Sequence, residues 1–176
     1  MKKIILHLLF YFLTVPVFSQ NIFFRDNFEK GRMNAAWVYS SGQWSVANLE
    51  SMSMLPSLQG NNFALTNNGI SVISADIPIA PQSISQTQYL GFYYRVHSKD
   101  AKGTVELSFL DQAGTPISTL QFTELKEQAN WAYFNESFKI PAGAGLIRLK
   151  FGFHTTHSPI TVYYQDICIG CTKRGL

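Results

Sequence analysis

Apolar residues recur at every second position in several short segments of this chain, and turn-forming residues separate the segments. In residues 89–97, Leu90, Phe92, Tyr94 and Val96 alternate with more polar positions. An alternation of period two predicts a β-strand with one buried face and one face toward solvent. Similar segments follow at short spacing without helical patterns between them, which favours an all-β sandwich over an α/β fold.

Residues that favour turns set the predicted limits of these strands. We expect hairpin turns at 40–42 (Ser-Ser-Gly) and at 66–69 (Thr-Asn-Asn-Gly), because glycine and asparagine tolerate positive φ. Pro78 and Pro81 are predicted to end regular pairing, since proline has no N–H group to donate. Residues 48–62 are predicted to form one long polar loop that either faces a ligand or is mobile.

The last predicted strand, Thr161 to Ile169, is rich in β-branched and aromatic residues and carries one acid. A strand so late in the chain has to insert among strands that are already formed. Its expected partner is the first acidic stretch, residues 25–31. We therefore expect the two ends of the domain to meet and to close a β-sandwich of two antiparallel sheets.

The N-terminus has the pattern of a signal peptide. Lys2 and Lys3 precede an apolar run over residues 4–18, and cleavage is expected before Gln20. The alternative is a retained membrane anchor. The run is shorter than the roughly 20 residues that a membrane span needs, and Pro16 interrupts it. The sequence therefore favours export with removal of residues 1–19, and no membrane span after cleavage.

The mature chain is predicted to be one domain. A length of 176 residues is near the usual size of a single domain. We place the signal peptide at 1–19, the β-sandwich at 20–170 and a short C-terminal tail at 171–176. Without Lys2 and Lys3, 12 of the 14 basic residues remain, against 11 acidic ones. These charges are scattered along the chain, which argues against a nucleic-acid partner.

Short motifs between about Phe24 and Ile169 carry a family resemblance by their order. They are Asn27-Phe28-Glu29, Trp37, Gly42-Gln43-Trp44, Gly60, Phe63-Ala64-Leu65, Leu90-Gly91-Phe92-Tyr93-Tyr94-Arg95, Trp131, Phe138-Lys139-Ile140-Pro141, Ile147-Arg148-Leu149-Lys150-Phe151 and Tyr164-Gln165-Asp166-Ile167. In this order the chain resembles the galactose-binding-like jelly-roll domains. These include many carbohydrate-binding modules, the MAM domains and the cleaved-adhesin-type domains of bacterial surface proteins. The resemblance implies a jelly-roll β-sandwich and a core position for Trp131.

The same resemblance implies a structural Ca²⁺ between the opening acidic stretch and the closing strand. The implied side-chain ligands are Glu29 and Asp166, with backbone carbonyls from the Asn48 or Asn61 region. Ca²⁺ takes several oxygen ligands and would hold the two chain ends together. Relatives often carry two acids in the closing strand, whereas this chain has Gln165 before Asp166. The alternative is a hydrogen-bonded pair of Glu29 and Asp166 without a metal.

Two histidines and two cysteines have the residue types of a zinc site, namely His154, His157, Cys168 and Cys171. About 11 strand residues between His157 and Cys168 would separate them by roughly 35 Å. All zinc ligands lie within about 2.3 Å of the ion, so this geometry argues against zinc. A disulfide between Cys168 and Cys171 fits an exported chain better.

Polar and aromatic side chains on two predicted strands suggest ligand binding. Tyr93, Arg95 and His97 project from the polar face of one strand, and Arg148 and His154 from that of another. Sugars are bound by aromatic faces that stack on C–H groups and by polar side chains that contact hydroxyls. We predict these five residues as the ligand-binding set.

Catalytic motifs are missing from the sequence. It has no Gly-x-Ser-x-Gly elbow and no glycine-rich phosphate loop. Glu124 and Glu127 lie in a polar connection, where we expect them to be solvated. We also expect no attached catalytic domain, because the chain stops soon after the closing strand. The prediction is a secreted or cell-surface, non-catalytic module that binds a glycan. The alternative is a protein-protein adhesion or surface-assembly module whose partner is a cell-surface protein.

Overall fold

The computed structural model describes residues 22–56, 60, 62–97, 101–155 and 161–171. The predicted signal peptide, Asn61, His157 and residues 172–176 lie outside this part of the chain. Within it, no helix is both long and apolar enough to cross a membrane. The one helical segment among these residues is a short 3₁₀ turn, Pro81–Ser83.

Nine β-strands form the described part of the chain. They are β1 Phe24–Asp26, β2 Trp37–Asn48, β3 Phe63–Pro78, β4 Thr87–Val96, β5 Ala101–Leu110, β6 Pro116–Leu125, β7 Gln128–Lys139, β8 Leu146–Thr155 and β9 Thr161–Ile169. All of their pairings are antiparallel. The predicted all-β class is therefore confirmed.

Hydrogen bonds connect the nine strands in one sheet. Its order is β6-β5-β8-β3-β9-β4-β7, with β1 paired to β9 and β2 paired to β3. Strand β3 joins two halves of this sheet, β6-β5-β8 on one side and β9-β4-β7 on the other. Residues 65–68 of β3 pair with β9, and residues 71–78 pair with β8. The two sheets that the sequence predicts are thus not separated by hydrogen bonding.

The sheet curls around an aromatic core. Phe151 of β8 lies with its ring centroid 5.2 Å from that of Phe92 on β4 and 4.5 Å from that of Tyr164 on β9. Strands β4 and β8 are separated in the sheet by β3 and β9. Their rings can meet only because the sheet folds over and brings the two halves face to face.

The predicted turns at 40–42 and 66–69 are wrong, because both segments lie inside long strands. Strand β2 pairs with β3 from Trp37 to Asn48, with register shifts on both sides of Ser41. Gly42 adopts a φ of +80°, and a Cβ there would overlap the side chain of Ser71. The positive φ of Gly42 therefore belongs to a β-bulge that bends strand β2, and the chain does not reverse direction here.

The two ends of the domain meet, as the sequence predicts. Strand β1 pairs with β9, with Phe24 opposite Ile169 and Asp26 opposite Ile167. A bulge in β9 at Asp166, where φ is +48°, shifts the register against β4. Because of this extra residue, Tyr164 and Ile167 both point into the core although they are three positions apart.

Candidate functional site

The outward side of the β9-β4-β7 half carries a cluster of aromatic residues around one arginine. We name it the aromatic face and define it as Tyr93, Arg95, Trp131, Tyr133 and Tyr163. Their neighbours in each strand, such as Phe92 and Tyr164, belong to the core. Since side chains alternate along a strand, the residues of the aromatic face point away from that core. Tyr93 and Tyr163 are nevertheless buried on this side, whereas Arg95, Trp131 and Tyr133 are partly exposed.

Strand register brings these side chains together. Tyr93 lies opposite Tyr133 on β7, with ring centroids 4.8 Å apart. Arg95 lies opposite Tyr163 on β9, and Tyr163 lies opposite Thr66 on β3. A row of Arg95, Tyr163 and Thr66 therefore crosses three neighbouring strands beside the pair of tyrosines.

Two polar atoms in this row are buried without a hydrogen-bond partner among the described residues. They are Nε of Arg95 and Oγ1 of Thr66. Buried polar groups nearly always find a partner in the protein, in ordered water or in a ligand. Neither atom has accessible surface and Tyr163 is only 4% exposed, so these two atoms and the Tyr163 ring lie beneath the surface of the aromatic face.

His97 extends the aromatic face beyond the end of β4. Its ring centroid lies 5.8 Å from that of Tyr163. Partial burial lowers the pKa of His97, and the positive charge of Arg95 lowers it further. The imidazole is therefore neutral at neutral pH and offers one donor and one acceptor nitrogen.

A loop borders the aromatic face on the Trp131 side. The indole Nε1 of Trp131 donates to the carbonyl oxygen of Leu55 at 2.8 Å. The loop is anchored by Leu49, which is fully buried and whose N–H donates to the Asn62 carbonyl. Trp131 packs in a small cluster with Leu49, Ala64 and Tyr163, outside the main core that the resemblance implied for it.

Gly91 leaves room for Tyr133, because a Cβ at this glycine would overlap the tyrosine hydroxyl. We expect Gly91→Ala to displace the Tyr133 ring and to weaken the binding of a ligand at the aromatic face about fivefold to tenfold, which corresponds to a loss of about 1 kcal/mol in binding free energy. The matched control is Gly152→Ala on β8, where a Cβ would crowd the Thr104 hydroxyl instead. Affinity electrophoresis checks both variants, and equal weakening in the two would contradict the role of Gly91.

The five predicted ligand-binding residues are not brought together. Tyr93, Arg95 and His97 lie on or beside the aromatic face, whereas Arg148 projects from β8 on the other side of the core. Arg148 is engaged there in a two-pronged ion pair with Asp76, with N···O distances of 2.7 and 2.8 Å. This hydrogen bonding lowers the pKa of Asp76 and raises that of Arg148. The side chain of His154 lies outside the described residues.

Tyr133, Tyr163 and Trp131 were missed as members of this face by the sequence prediction. Tyr133 and Trp131 are two positions apart, as residues on one side of a strand must be. That spacing was an available signal. Their position next to Tyr93 depends on the pairing of β4 with β7, which the sequence pattern alone does not give.

Glu29, one of the two predicted calcium ligands, lines a cavity of about 570 Å³ formed by residues between 25 and 35. Glu29 lines this cavity and is exposed, while Asp166 is buried on β9. Three basic residues also line the cavity, namely Arg25, Lys30 and Arg32. In the described ranges, no three His, Cys, Asp or Glu residues are grouped as a metal site. The basic lining fits a cation poorly, and we derive no role for Ca²⁺ from it.

The buried acid of this region is Asp26. Its Oδ1 accepts a hydrogen bond from the Phe28 N–H at 3.0 Å. Its Oδ2 accepts hydrogen bonds from the Asn34 N–H at 2.9 Å and from Trp37 Nε1 at 2.8 Å. These donors hold the loop after β1 against the core. Cys168 and Cys171 are joined in the structure as disulfide partners, with Cα atoms 6.1 Å apart.

Comparison with known proteins finds likeness in fold only. No protein-family model and no curated protein matches the chain. The xylan-binding CBM22-1 domain of Paenibacillus barcinonensis Xyn10C is 13% identical, with a TM-score of 0.59 over 85% of this chain and 94% of that one. The family 61 carbohydrate-binding module TmCBM61, solved with β-1,4-galactotriose, is 17% identical, with a TM-score of 0.56 over 81% and 92%.

Some of the similar structures come from enzymes. The enzymatically active domain of tailspike protein 4 of bacteriophage CBA120 is 13% identical, with a TM-score of 0.63 over 77% of this chain. This chain spans 19% of that protein's length. The two carbohydrate-binding modules confirm the predicted resemblance in fold to carbohydrate-binding modules with a jelly-roll architecture.

Proposed function

We propose that this protein is an exported, non-catalytic module that binds a glycan across the aromatic face. The observation that carries the proposal is the group of partly exposed side chains Arg95, Trp131 and Tyr133 on the outward side of β4 and β7, with the exposed His97 at its end. The partly exposed rings of Trp131 and Tyr133 supply apolar faces for sugar C–H groups, and Arg95 and His97 supply hydrogen bonds to hydroxyls. The fold shared with carbohydrate-binding modules supports the same function.

Affinity electrophoresis of the purified protein tests this function. Native gels containing one soluble polysaccharide each, including xylan and β-1,4-galactan, are compared with a gel without polysaccharide. We expect retardation in at least one gel, and loss of retardation in Arg95→Gln. The control is Arg148→Gln, which removes the same charge on the far side of the core. If no glycan retards the protein and a cell-surface protein is captured instead, the alternative adhesion module is favoured.

The proposal includes binding without cleavage. The aromatic face contains no carboxylate, whereas glycoside hydrolysis uses two carboxylates placed across the scissile bond. Overnight incubation with the polysaccharide that binds is therefore expected to release no reducing ends. Release that depends on one acidic side chain would support an enzyme instead.

Export is part of the proposal, with removal of residues 1–19 and a domain that spans residues 20–170. The described strands are consistent with a two-layered jelly-roll sandwich, because the halves joined by β3 pack core to core. A disulfide between Cys168 and Cys171 fits an oxidising compartment. Mass spectrometry of the protein from the culture medium would give the cleavage site and the redox state of the two cysteines.

The family resemblance implies Ca²⁺ at Glu29 and Asp166, and we propose instead that this site holds no Ca²⁺. Because basic residues line the cavity at Glu29, we expect the melting temperature to be unchanged by EDTA and by subsequent addition of CaCl₂. An ion that binds only the folded state stabilises it in proportion to the logarithm of its concentration. A clear fall with EDTA that Ca²⁺ reverses would therefore establish the ion.

His97 predicts a pH dependence of stability. Its pKa is lowered from the ordinary value of 6.5, so below about pH 6.5 the unfolded chain binds more protons than the folded one. The contribution of His97 is fully present above pH 6.5 and is lost as pH falls toward its folded-state pKa. We expect His97→Gln to reduce the difference in melting temperature between pH 7.5 and pH 5. An unchanged difference would contradict this assignment.

A further inference from the structure

The cavity formed by residues 25–35 has the size of a ligand pocket. Its volume is about 570 Å³, within the range of about 300–1,000 Å³ that is common for small-molecule sites. The buried acid in its wall, Asp26, already accepts three N–H hydrogen bonds. Glu29 is then the one exposed carboxylate among the residues that line the cavity.

Three exposed basic residues, Arg25, Lys30 and Arg32, line the same cavity. Within the described ranges none of them forms an ion pair, whereas Arg148 and Lys150 on β8 each have an acidic partner. The cavity lining therefore carries three basic side chains against two carboxylates, of which only Glu29 is exposed. Such a lining attracts an anionic group, and guanidinium groups match the geometry of carboxylate and sulfate oxygens.

Strand register places Arg25, one of the residues that line this cavity, beside the end of the aromatic face. Arg25 lies opposite Cys168 on β9, and Cys168 lies opposite Gly91 on β4. All three point outward, since Phe24, Leu90 and Ile167 belong to the core. Two strand spacings separate Arg25 from Gly91, or about 10 Å. Gly91 is the residue over which the Tyr133 hydroxyl lies.

We propose that the glycan bound by this protein is acidic, and that the cavity at residues 25–35 receives a carboxylate or sulfate group of the same chain that crosses the aromatic face. This inference rests on the proposed function and adds the charge of the ligand. It also accounts for the poor fit of Ca²⁺ at Glu29, since a site that attracts anions repels a divalent cation.

The experiment compares binding to acidic polysaccharides and to their neutral counterparts. One pair is polygalacturonate and its carboxyl-reduced form, and the other is a sulfated galactan and its desulfated form. We expect at least about tenfold tighter binding to one acidic member, because a hydrogen bond to a charged group contributes a tenfold effect or more. This preference should fall as salt is raised from 20 to 300 mM. The two pairs distinguish a carboxylate from a sulfate.

The matched variants are Lys30→Gln/Arg32→Gln in the cavity and Lys102→Gln/Lys150→Gln on the outward side of β5 and β8, which remove equal charge. The cavity variant should lose the preference for the acidic member and keep its binding to the neutral member. Equal losses in the two variants, or equal binding of acidic and neutral members by the wild type, would overturn the acidic-glycan assignment alone.

Absence of binding to any polysaccharide would instead count against the proposed function. Titration of the ¹⁵N-labelled protein with glucuronate and with sodium sulfate then tests the cavity directly. Chemical-shift changes confined to residues 25–35 would support the anion site, and no change with either anion would overturn it.

Discussion

Replacing Phe151 by alanine is expected to lower the free energy of unfolding by about 3–5 kcal/mol, the usual cost of removing a buried phenylalanine side chain. The ring is fully buried and contacts aromatic rings from three other strands. These are Trp37 at 6.0 Å, Phe92 at 5.2 Å and Tyr164 at 4.5 Å between centroids. Because Phe151 joins the two halves of the curled sheet, a cavity there cannot be closed by movement of one half alone.

Urea unfolding followed by tryptophan fluorescence measures this loss. The matched control is Phe122→Ala on β6, which removes the same atoms from a half-buried position at the edge of the core. We expect the control to cost clearly less than Phe151→Ala. Similar losses in the two variants would show that the centre of the core is not where the rings of Phe92, Phe151 and Tyr164 meet.

Replacing Asp26 by alanine is expected to lower the free energy of unfolding by about 2–4 kcal/mol. Three N–H donors then lose their acceptor, and the hydrogen bonds from Phe28 and Trp37 are buried. The backbone amides of the loop after β1 should also lose protection against hydrogen exchange. Hydrogen exchange at Phe28 and Asn34 is therefore expected to speed up more than exchange in β8. Asp26→Asn keeps the shape of the side chain and one acceptor oxygen. Its free energy of unfolding should therefore lie between those of the wild type and Asp26→Ala.

Asp111 provides the control for Asp26. Its carboxylate also accepts two backbone N–H bonds, from Ala113 and Thr115 at 2.8 Å each, but in an exposed turn. Water can replace an exposed acceptor, so Asp111→Ala should cost about 1 kcal/mol or less. If Asp26→Ala is as mild as Asp111→Ala, then Asp26 does not hold the loop to the core.

Strand identity could be predicted from the sequence where alternation was strong. The segment 161–169 carries β-branched and aromatic residues throughout, and strand β9 spans these same residues. Its pairing with β1 followed from the position of a late strand. The bulge at Asp166 was not predicted, because its positive φ reflects the register between β9 and β4.

The turn predictions failed for a different physical reason. A glycine with positive φ serves a hairpin turn and a β-bulge equally well, so the local chemistry at Gly42 does not decide between them. Pairing of β2 with β3 on both sides of Gly42 decides it. Sequence patterns report such conformational preferences, whereas long-range pairing is needed to say what the chain does with them.

The candidate site was predicted only in part for the same reason. Tyr93, Arg95 and His97 share a strand, and their alternation was sufficient to place them on one side. Arg148 has a similar pattern, but its outward position puts it beside Asp76 and away from Tyr93. The side chain next to Tyr93 is that of Tyr133 on β7, and only the pairing of β4 with β7 places it there.

The central claim is that glycan contacts the aromatic face, and chemical-shift mapping tests it most directly. The probe is a short oligosaccharide prepared from whichever polysaccharide retards the protein, added to the ¹⁵N-labelled mature chain. We predict that the largest shifts fall on Tyr93, Arg95, Tyr133 and Tyr163. Shifts confined to the outward side of β5 and β8, around Glu106 and Arg148, would contradict the account.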